Sequence, residues 1–506
     1  MIKKETKQPR ILIVTPEVTY LPEQMGLFSS YLTAKAGGLA DVSASLVNAL
    51  FKEGADVHVA IPDYRTLFNK NLAMLSEIDS YELEFRKVMP NDRVHLAKDR
   101  AFYYLNNVYS YSGQENIKIS LAFQREVINN IVPKIRPDLI HCNDWTTALI
   151  PAMARYLHIP CLFTIHNIHT VKCTLENIED VGIDAAPFWH QLFYTKRPYS
   201  YEETRSSNPV DFLSSGIFAA HFVNTVSPTF LKEIIEGRHN NIEPSIRHEI
   251  RNKVDAGCAV GILNAPDVKF NPSTDDLLPF KYTPENHADV KKQNKKAFQR
   301  LMGLIEDENA PMFFWPSRLD PIQKGCQLLA EILYIFISKY WHQNLQVVFI
   351  ADGPYQNIFH DIVNFHGLHN RVSVKSFRAE LEHMAYGASD FLMMPSSFEP
   401  CGLPQMTGSI YGTLPVVHDT GGLHDTVQHL DINTDSGNGF IFKDHNSNGL
   451  LWALEEAMRF YNLPEPIRKK QITRIMTESS LRFNHYVSAR EYISLYENML
   501  NRPLVN

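Results

Sequence analysis

The sequence predicts an α/β protein made of two doubly wound, Rossmann-like domains facing each other. Three observations carry that reading. Short apolar runs bounded by turn residues recur from end to end of the chain. Amphipathic helical stretches separate many of them, which is the pattern of parallel sheets covered on both faces. At 506 residues the chain is too long for one hydrophobic core and calls for two or three domains.

In chain order, the first half offers strands at "RILIVTPEV", "DVHVAIPDY", "DLIHCNDW", "CLFTIHN" and "FVNTVSP". Between the first two runs lies "GLADVSASLVNALFKEG", with Leu39, Val42, Leu46, Leu50 and Phe51 on one helical face. The second half offers "PMFFWPSRL", "LQVVFIADG", "RVSVKSF", "DFLMMPSS", "LPVVHDT" and "NGFIF". The stretch "GILNAPDVKFNPSTDDLLPFKYTPENH" is rich in Pro, Asn and Asp and marks a domain boundary. The expected division is residues 1–265, residues 266–480, and a final helix within 481–506 that packs back on the first domain. That helix is read from Tyr486, Ala489, Ile493 and Tyr496 at helical spacing. The basic run "KKQNKK", Lys291 to Lys296, reads as a solvated helix face.

Composition excludes several classes. A net charge of -7 argues against a nucleic-acid binder, which shows a basic stripe. The six cysteines are scattered with no CxxC pair, so neither a disulfide framework nor a structural zinc site is expected, and a reducing, cytoplasmic setting fits. "ILIV" near the N-terminus is too short for a signal peptide and reads as the first strand. No run approaches transmembrane length, so no membrane partner is expected. The histidines show no ligand spacing, so no metal is expected. The oligomeric state is not legible.

Ligands of open α/β sheets sit beyond the carboxyl ends of the strands, and the candidate groups lie just after predicted strands. In "AKAGGLADV", Gly37 and Gly38 open a helix, and Lys35 adds a point charge. The loop fits an anion at a helix N-terminus and equally a plain glycine turn; it lacks the spacing of a Walker loop. In "SRLDPIQKG", Arg318 and Lys324 suit a diphosphate, the bland reading being two exposed surface cations. In "PSSFEPCGLPQM", Glu399 can accept from sugar hydroxyls and the amides of Gly402 and Leu403 can donate. Cys401, in the same loop, reads as a small buried hydrophobe rather than a nucleophile. Asp144 and Trp145 follow one strand, His166 and Asn167 the next, and Asn264 closes "GILN" at the boundary. A lone histidine after a strand is more often structural than catalytic.

Together these motifs resemble glycogen and starch synthases. The ordered matches include "KAGGLADV", "NDW", "TIHN", "NTVSPTF", "GILN", "NPSTD", "SRL…QKG", "FEPCGL", "YGTLPVV", "TGGL.DTV" and "GFIF". The resemblance implies the two-domain GT-B glycosyltransferase fold, and retaining transfer of glucose from ADP-glucose or UDP-glucose to the non-reducing end of an α-1,4-glucan. It implies no cofactor. Arg318 and Lys324 match the cations on the leaving diphosphate. Lys35, Gly37 and Gly38 match the loop that meets the diphosphate. Asp144, His166, Asn264 and Glu399 match residues around the glucose, with Gly402 and Leu403 as amide donors beside Cys401. Phe377 matches an aromatic position near the base, and Asp41 a position near the nucleoside.

The chain departs from the family pattern at Ala36, Thr146 and Pro404, in a long loop over 18–34, and in an aromatic-rich stretch over 171–215. That stretch fits glucan stacking, a packed insertion or a subunit contact equally. Three rival functions stand beside this one. A glycosyltransferase of the same fold with a small acceptor would not depend on glucan. A non-catalytic glucan-binding paralogue would lose Arg318, Lys324 or Glu399, and none is lost. A phosphorylase would carry a pyridoxal-binding motif, and none is seen.

Overall fold

One parallel sheet is built from β1 (Arg10–Val14), β2 (Asp56–Pro62), β3 (Val94–Ala97), β4 (Leu139–Asn143) and β5 (Cys161–Ile165). A small antiparallel pair, β6 (Lys172–Cys173) and β7 (Val210–Asp211), follows it in the chain. The sheet is completed by β8 (Phe222–Thr225) and β9 (Ala259–Gly261), in the order β3-β2-β1-β4-β5-β8-β9. The computed structural model describes residues 8–26, 29–72, 93–239 and 242–505. Leu27 and Phe28 of the long loop and the first seven residues lie outside the described residues.

β4 and β5 are buried at every position. This is why their sequences read as continuous apolar runs and not as alternating ones. β3 and β9 were not expected: "VHLA" and "AVG" are too short to stand out as apolar runs.

A second parallel sheet holds β10 (Met312–Trp315), β11 (Gln346–Ile350), β12 (Val372–Lys375), β13 (Phe391–Met394), β14 (Leu414–His418) and β15 (Phe440–Phe442). Its order is β12-β11-β10-β13-β14-β15. Aromatic side chains stack within its largely aliphatic core. Phe313 stacks on Phe391 at 4.8 Å, and Phe349 on Phe359 at 4.3 Å. Both sheets reverse direction of winding at one place, between β1 and β4 in the first and between β10 and β13 in the second. Loops leaving the carboxyl ends of those strands diverge, which opens a crevice in each sheet where a ligand can bind.

The chain separates into two compact units. The first runs to Val226 and takes in Leu231–Asn264 and His485–Asn506; the second is Ser227–Phe230 with Ala265–Asn484. Ser227 and Thr229 are tied to the second unit by side chains. Ser227 Oγ donates to the Pro400 carbonyl at 2.6 Å, and Thr229 Oγ1 to Asp425 at 2.6 Å.

The helix His485–Leu500 is held to the first sheet by a buried polar chain. The Tyr496 hydroxyl lies 2.7 Å from His141 Nδ1, Thr164 Oγ1 bridges His141 Nε2 to Asn224, and Asn224 Nδ2 donates to the Tyr492 hydroxyl at 2.9 Å. Burial pushes the His141 imidazole down to about 3, so it stays neutral and can both donate and accept. Every member is satisfied, which is the condition under which a buried polar chain stabilises.

The basic run "KKQNKK" corrects its reading. Lys291 and Lys295 are 7% and 3% exposed, on the inner face of the helix His287–Met302. Lys291 Nζ donates to the carbonyls of Tyr386 and Tyr411 and to Thr413 Oγ1, and Lys295 Nζ pairs with Asp390 at 2.6 Å. Long apolar stems let lysines cross a core and place their ammonium on carbonyls at the far side. Burial lowers the Lys291 ammonium to about 7. In the aromatic stretch, Phe188 and Tyr194 are buried, whereas Tyr199 is exposed. Among the described residues no helix is long and apolar enough to cross a membrane.

Candidate active site

In the second unit, the candidate groups stand on the two loops that flank its winding reversal. After β10, Trp315 Nε1 donates to the Ser317 carbonyl at 2.7 Å and pins the chain before Arg318. Leu319 is buried, and its amide reaches the Asp352 carbonyl at 2.9 Å. That close approach requires Gly353, where a Cβ would stand 2.5 Å from the Leu319 carbonyl oxygen. Arg318 is thereby left exposed, and its guanidinium makes no ion pair among the described residues. The chain then turns tightly. Asp320 Oδ1 accepts from the amides of Ile322 and Gln323, and its carbonyl accepts from Lys324 N at 3.0 Å.

Lys324 and Glu399 meet across the two loops. Lys324 Nζ lies 2.6 Å from Glu399 Oε2, and both side chains are largely buried, at 12% and 9% exposed. Ser396 Oγ donates to the same carboxylate oxygen at 3.1 Å. The loops are laced by backbone as well: Ser397 N donates to the Gln323 carbonyl at 2.8 Å, and Gly325 sits where a Cβ would be 2.1 Å from the Pro395 carbonyl oxygen.

The loop of Glu399 rests on the glycine turn after β14. Gly422 N donates to the Glu399 carbonyl at 2.9 Å. Gly421, at φ 46, has room for no side chain, since a Cβ would stand 2.0 Å from that same oxygen. Gln405 Nε2 gathers the Cys401 and Gly402 carbonyls and Thr426 Oγ1. Cys401 is buried and its carbonyl takes part in this lacing. Leu403 precedes the helix Pro404–Tyr411, and no backbone carbonyl accepts the Gly402 or Leu403 amide among the described residues. Phe377 follows β12 and is 49% exposed, its amide held by Asp352 Oδ2 at 3.4 Å.

The first unit arranges its groups around its own reversal, after β1 and β4. Gly37 precedes the helix Gly38–Lys52, and no side chain caps that helix. The amides of Ala36 and Gly37 donate to Glu17 Oε2 at 2.7 and 2.9 Å. Glu17 is 3% exposed, and burial raises its carboxyl above the ordinary range despite those two amides. Lys35 pairs with Asp41 at 2.7 Å.

Asp144 sits at φ 62, ψ 178, a conformation that costs a non-glycine residue on the order of 1–3 kcal/mol. The strain turns its carboxylate onto the next loop. Oδ1 faces His166 N at 3.3 Å, and Oδ2 faces Asn167 Nδ2 at 3.3 Å. Burial raises the Asp144 carboxyl to about 7, with the charge of Glu17 adding to the rise. Asn143 orients His166: its Nδ2 donates to the Val14 carbonyl, so its Oδ1 accepts from His166 Nε2 at 2.9 Å. Burial depresses that imidazole to about 3, leaving a neutral ring with Nδ1 unprotonated. Asn264 is buried, and its Oδ1 accepts no hydrogen bond among the described residues.

The expected residues therefore fall into three groups, with Asn264 standing apart after β9. Arg318, Lys324, Glu399, Cys401, Gly402 and Leu403 share two laced loops of the second unit, and Phe377 stands on a third loop there. Lys35, Gly37, Gly38 and Asp41 share one helix start in the first unit, and Asp144 and His166 share the loops after β4 and β5. Glu17, Asn143 and Ser396 were missed. Glu17 stands directly after β1 in "TPEV", so its place at a strand end was the available signal.

Residues 10–248 match the starch synthase catalytic domain, and residues 303–474 match glycosyl transferases group 1. The glycogen synthase of Exiguobacterium sibiricum is 32% identical over 491 residues, covering 91% of this chain and 95% of that protein. The glycogen synthase of Kosmotoga olearia is 32% identical over 95% of this chain and 98% of its own length. Among solved structures, the catalytic domain of Starch Synthase IV from Arabidopsis thaliana bound to ADP and acarbose superposes with TM-score 0.77 at 24% identity, covering 98% of this chain and 100% of that one. Sucrose-phosphate synthase from Thermosynechococcus elongatus shares the fold at TM-score 0.57 and 16% identity, covering 98% and 100% of the two chains. With two switch-point sheets, laced cation and carboxylate loops, and relatives of this identity over nearly its whole length, the chain belongs to the glycogen synthase family and is a glycosyltransferase of GT-B fold.

Proposed function

We propose that the protein lengthens an α-1,4-glucan by moving glucose from ADP-glucose to the glucan's non-reducing end, with the configuration at C1 retained. The observation that carries this reading is the Lys324–Glu399 contact beside an Arg318 that makes no ion pair among the described residues, on the loops where the second sheet changes winding. The bond between C1 and the donor's phosphate oxygen breaks, and its electron pair leaves with the diphosphate. The acceptor hydroxyl bonds to C1 on the same face and passes its proton to the departing phosphate. Negative charge grows on the leaving oxygens, so Arg318 and Lys324 act where fixed cations lower the barrier most.

Glu399 has two roles in this reading. It holds Lys324 in place, and its carboxylate favours the positive sugar that forms as the bond breaks. Asp144, the neutral His166 and Asn264 contact the glucose, and the Gly402 and Leu403 amides donate to its hydroxyls. Phe377 stacks near the base, Asp41 stands near the nucleoside, and Lys35, Gly37 and Gly38 meet the diphosphate. Residues 1–265 then serve as the acceptor side and residues 266–480 as the donor side. A cytoplasmic setting belongs to the same reading, supported by six free cysteines.

The choice of ADP is supported by the plant starch synthase solved with ADP, whereas Anabaena HepE, of the same fold at TM-score 0.54, was solved with UDP-glucose. The deciding experiment incubates the protein with glycogen and either donor and follows nucleoside diphosphate release, with an Arg318→Ala, Lys324→Ala variant alongside. Release with ADP-glucose that requires glycogen and vanishes in the variant supports the reading. Binding of glycogen without turnover of either donor overturns it.

A further inference from the structure

Two histidines outside the groups described so far close on the loop that carries Glu399. β13 ends at Met394, in register with Val417, and β14 ends one residue later at His418, in register with Phe442 of β15. That stagger brings His418 level with Pro395 and Ser396 as they leave the sheet. His418 Nδ1 lies 2.7 Å from the Ser396 carbonyl oxygen. His445, in the turn after β15, sets Nε2 at 3.0 Å from the Pro395 carbonyl oxygen. The two rings stand 4.6 Å apart, and Phe442 packs on His418 at 5.4 Å. We propose that His418 and His445 are positioning residues for glucosyl transfer, which hold two consecutive carbonyls of the loop after β13 and so keep Glu399 on Lys324. Their part in transfer rests on the function proposed above.

A carbonyl only accepts, so each ring must donate: the proton sits on Nδ1 of His418 and on Nε2 of His445. Burial lowers the His418 imidazole below its usual value, and His445 beside it adds to the fall. At neutral pH that ring therefore keeps one N–H, and Ser396 takes it. Pro395 and Ser396 are both buried, and among the described residues no turn or loop amide donates to either carbonyl. Without the imidazoles, both oxygens would lose these donors away from water.

These carbonyls govern the contact between the two loops. The peptide that carries the Ser396 carbonyl also carries the Ser397 amide, which donates to the Gln323 carbonyl at 2.8 Å. Ser396 Oγ donates to Glu399 Oε2 at 3.1 Å. Gly325, the residue after Lys324, passes so close that a Cβ there would stand 2.1 Å from the Pro395 carbonyl oxygen and 3.5 Å from His445 Nε2. His445 thus sits where the two loops cross. A shift of Pro395 and Ser396 would misplace the Lys324–Glu399 contact, and misplaced fixed charges lose the transition state more than the bound substrate.

The test uses the full chain and turns on which ring nitrogen donates. A glutamine NH₂ reaches the place of Nε2, and an asparagine NH₂ the place of Nδ1. Rates are measured with ADP-glucose and glycogen for His445→Ala, His445→Gln and His445→Asn, at a position only half-buried. The expected result is kcat about tenfold lower in His445→Ala, the scale of losing one buried hydrogen bond, with KM for glycogen changed by less than about twofold. His445→Gln recovers most of the loss and His445→Asn does not. At the buried His418 the preference reverses in kind: His418→Asn keeps more of kcat than His418→Leu. A second readout needs no turnover. The non-additive stability of Lys324→Met and Glu399→Gln shrinks in the His445→Ala background and persists in His445→Gln.

A kcat within about twofold of wild type in His445→Ala, or equal losses in His445→Gln and His445→Asn, overturns the positioning role and leaves the catalytic reading standing. A wild-type chain that turns over neither donor, while the Lys324–Glu399 coupling still depends on His445, overturns the catalytic reading and leaves the two histidines as the brace of that pair.

Discussion

Replacing Lys324 with methionine keeps most of the stem and removes the ammonium. Glu399 Oε2 then loses a partner at 2.6 Å and keeps one hydroxyl, Ser396 Oγ at 3.1 Å. Both members of the pair are about nine-tenths buried, so the carboxylate is left largely without water. Breaking such a pair from one side costs about 3–5 kcal/mol. Removing the second charge as well, in Lys324→Met, Glu399→Gln, abolishes the stranded carboxylate, and the double variant is then less destabilised than the sum of the two singles by about 1.5–3 kcal/mol. The assay is denaturant unfolding of the four proteins of the cycle, read on the transition of the second unit. Activity moves differently. Each single variant loses about 10²–10³ in kcat, as for removal of one fixed group at a developing charge, and the double variant recovers none of it. Additive stabilities would refute the reasoning, because they would mean that Lys324 and Glu399 do not sense each other in the fold.

Three further outcomes follow from the geometry. Gly421→Ala places a methyl 2.0 Å from the Glu399 carbonyl oxygen at φ 46, so it displaces the Glu399 loop; kcat falls at least about tenfold and the protein is destabilised by about 1–3 kcal/mol, measured by kinetics and thermal unfolding. Glu17→Ala frees the Ala36 and Gly37 amides and raises KM for the donor, whereas Glu17→Gln keeps an acceptor oxygen and stays near wild type; equal KM values in the two variants would remove Glu17 as the brace of that loop. Asp144 titrates near 7 in the fold and near 3.8 when unfolded. Below about pH 4 both states are protonated; as pH rises to 7 the unfolded chain ionises first, so stability falls by on the order of 4 kcal/mol and then levels off. Asp144→Asn flattens that fall, which unfolding at pH 5 and pH 8 will show.

The strands were legible wherever burial on both faces produced an unbroken apolar run, as at Cys161–Ile165 and Phe391–Met394. The short edge strand Ala259–Gly261 was not, because three small residues carry no periodicity. The places of Arg318, Lys324 and Glu399 after strands could be read from the chain, but not what each touches. Lys324 meets Glu399 across 75 residues of sequence, and only the lacing of two loops brings them together. Glu17 on the Gly37 amide is a contact of the same kind, across 20 residues. The lysines of "KKQNKK" misled for a related reason. Charge alone marks a solvated face, whereas Lys291 and Lys295 point inward to carbonyls that other segments supply.

The central claim is tested most directly by the fate of labelled glucose. The protein is given glycogen and ADP-[¹⁴C]glucose, and the polymer is then digested with an exo-acting hydrolase specific for α-1,4 links at non-reducing ends. The account predicts label in the polymer, released early as maltose, and no incorporation by the Arg318→Ala, Lys324→Ala variant. Label that stays out of the polymer, or that resists the hydrolase, would contradict it.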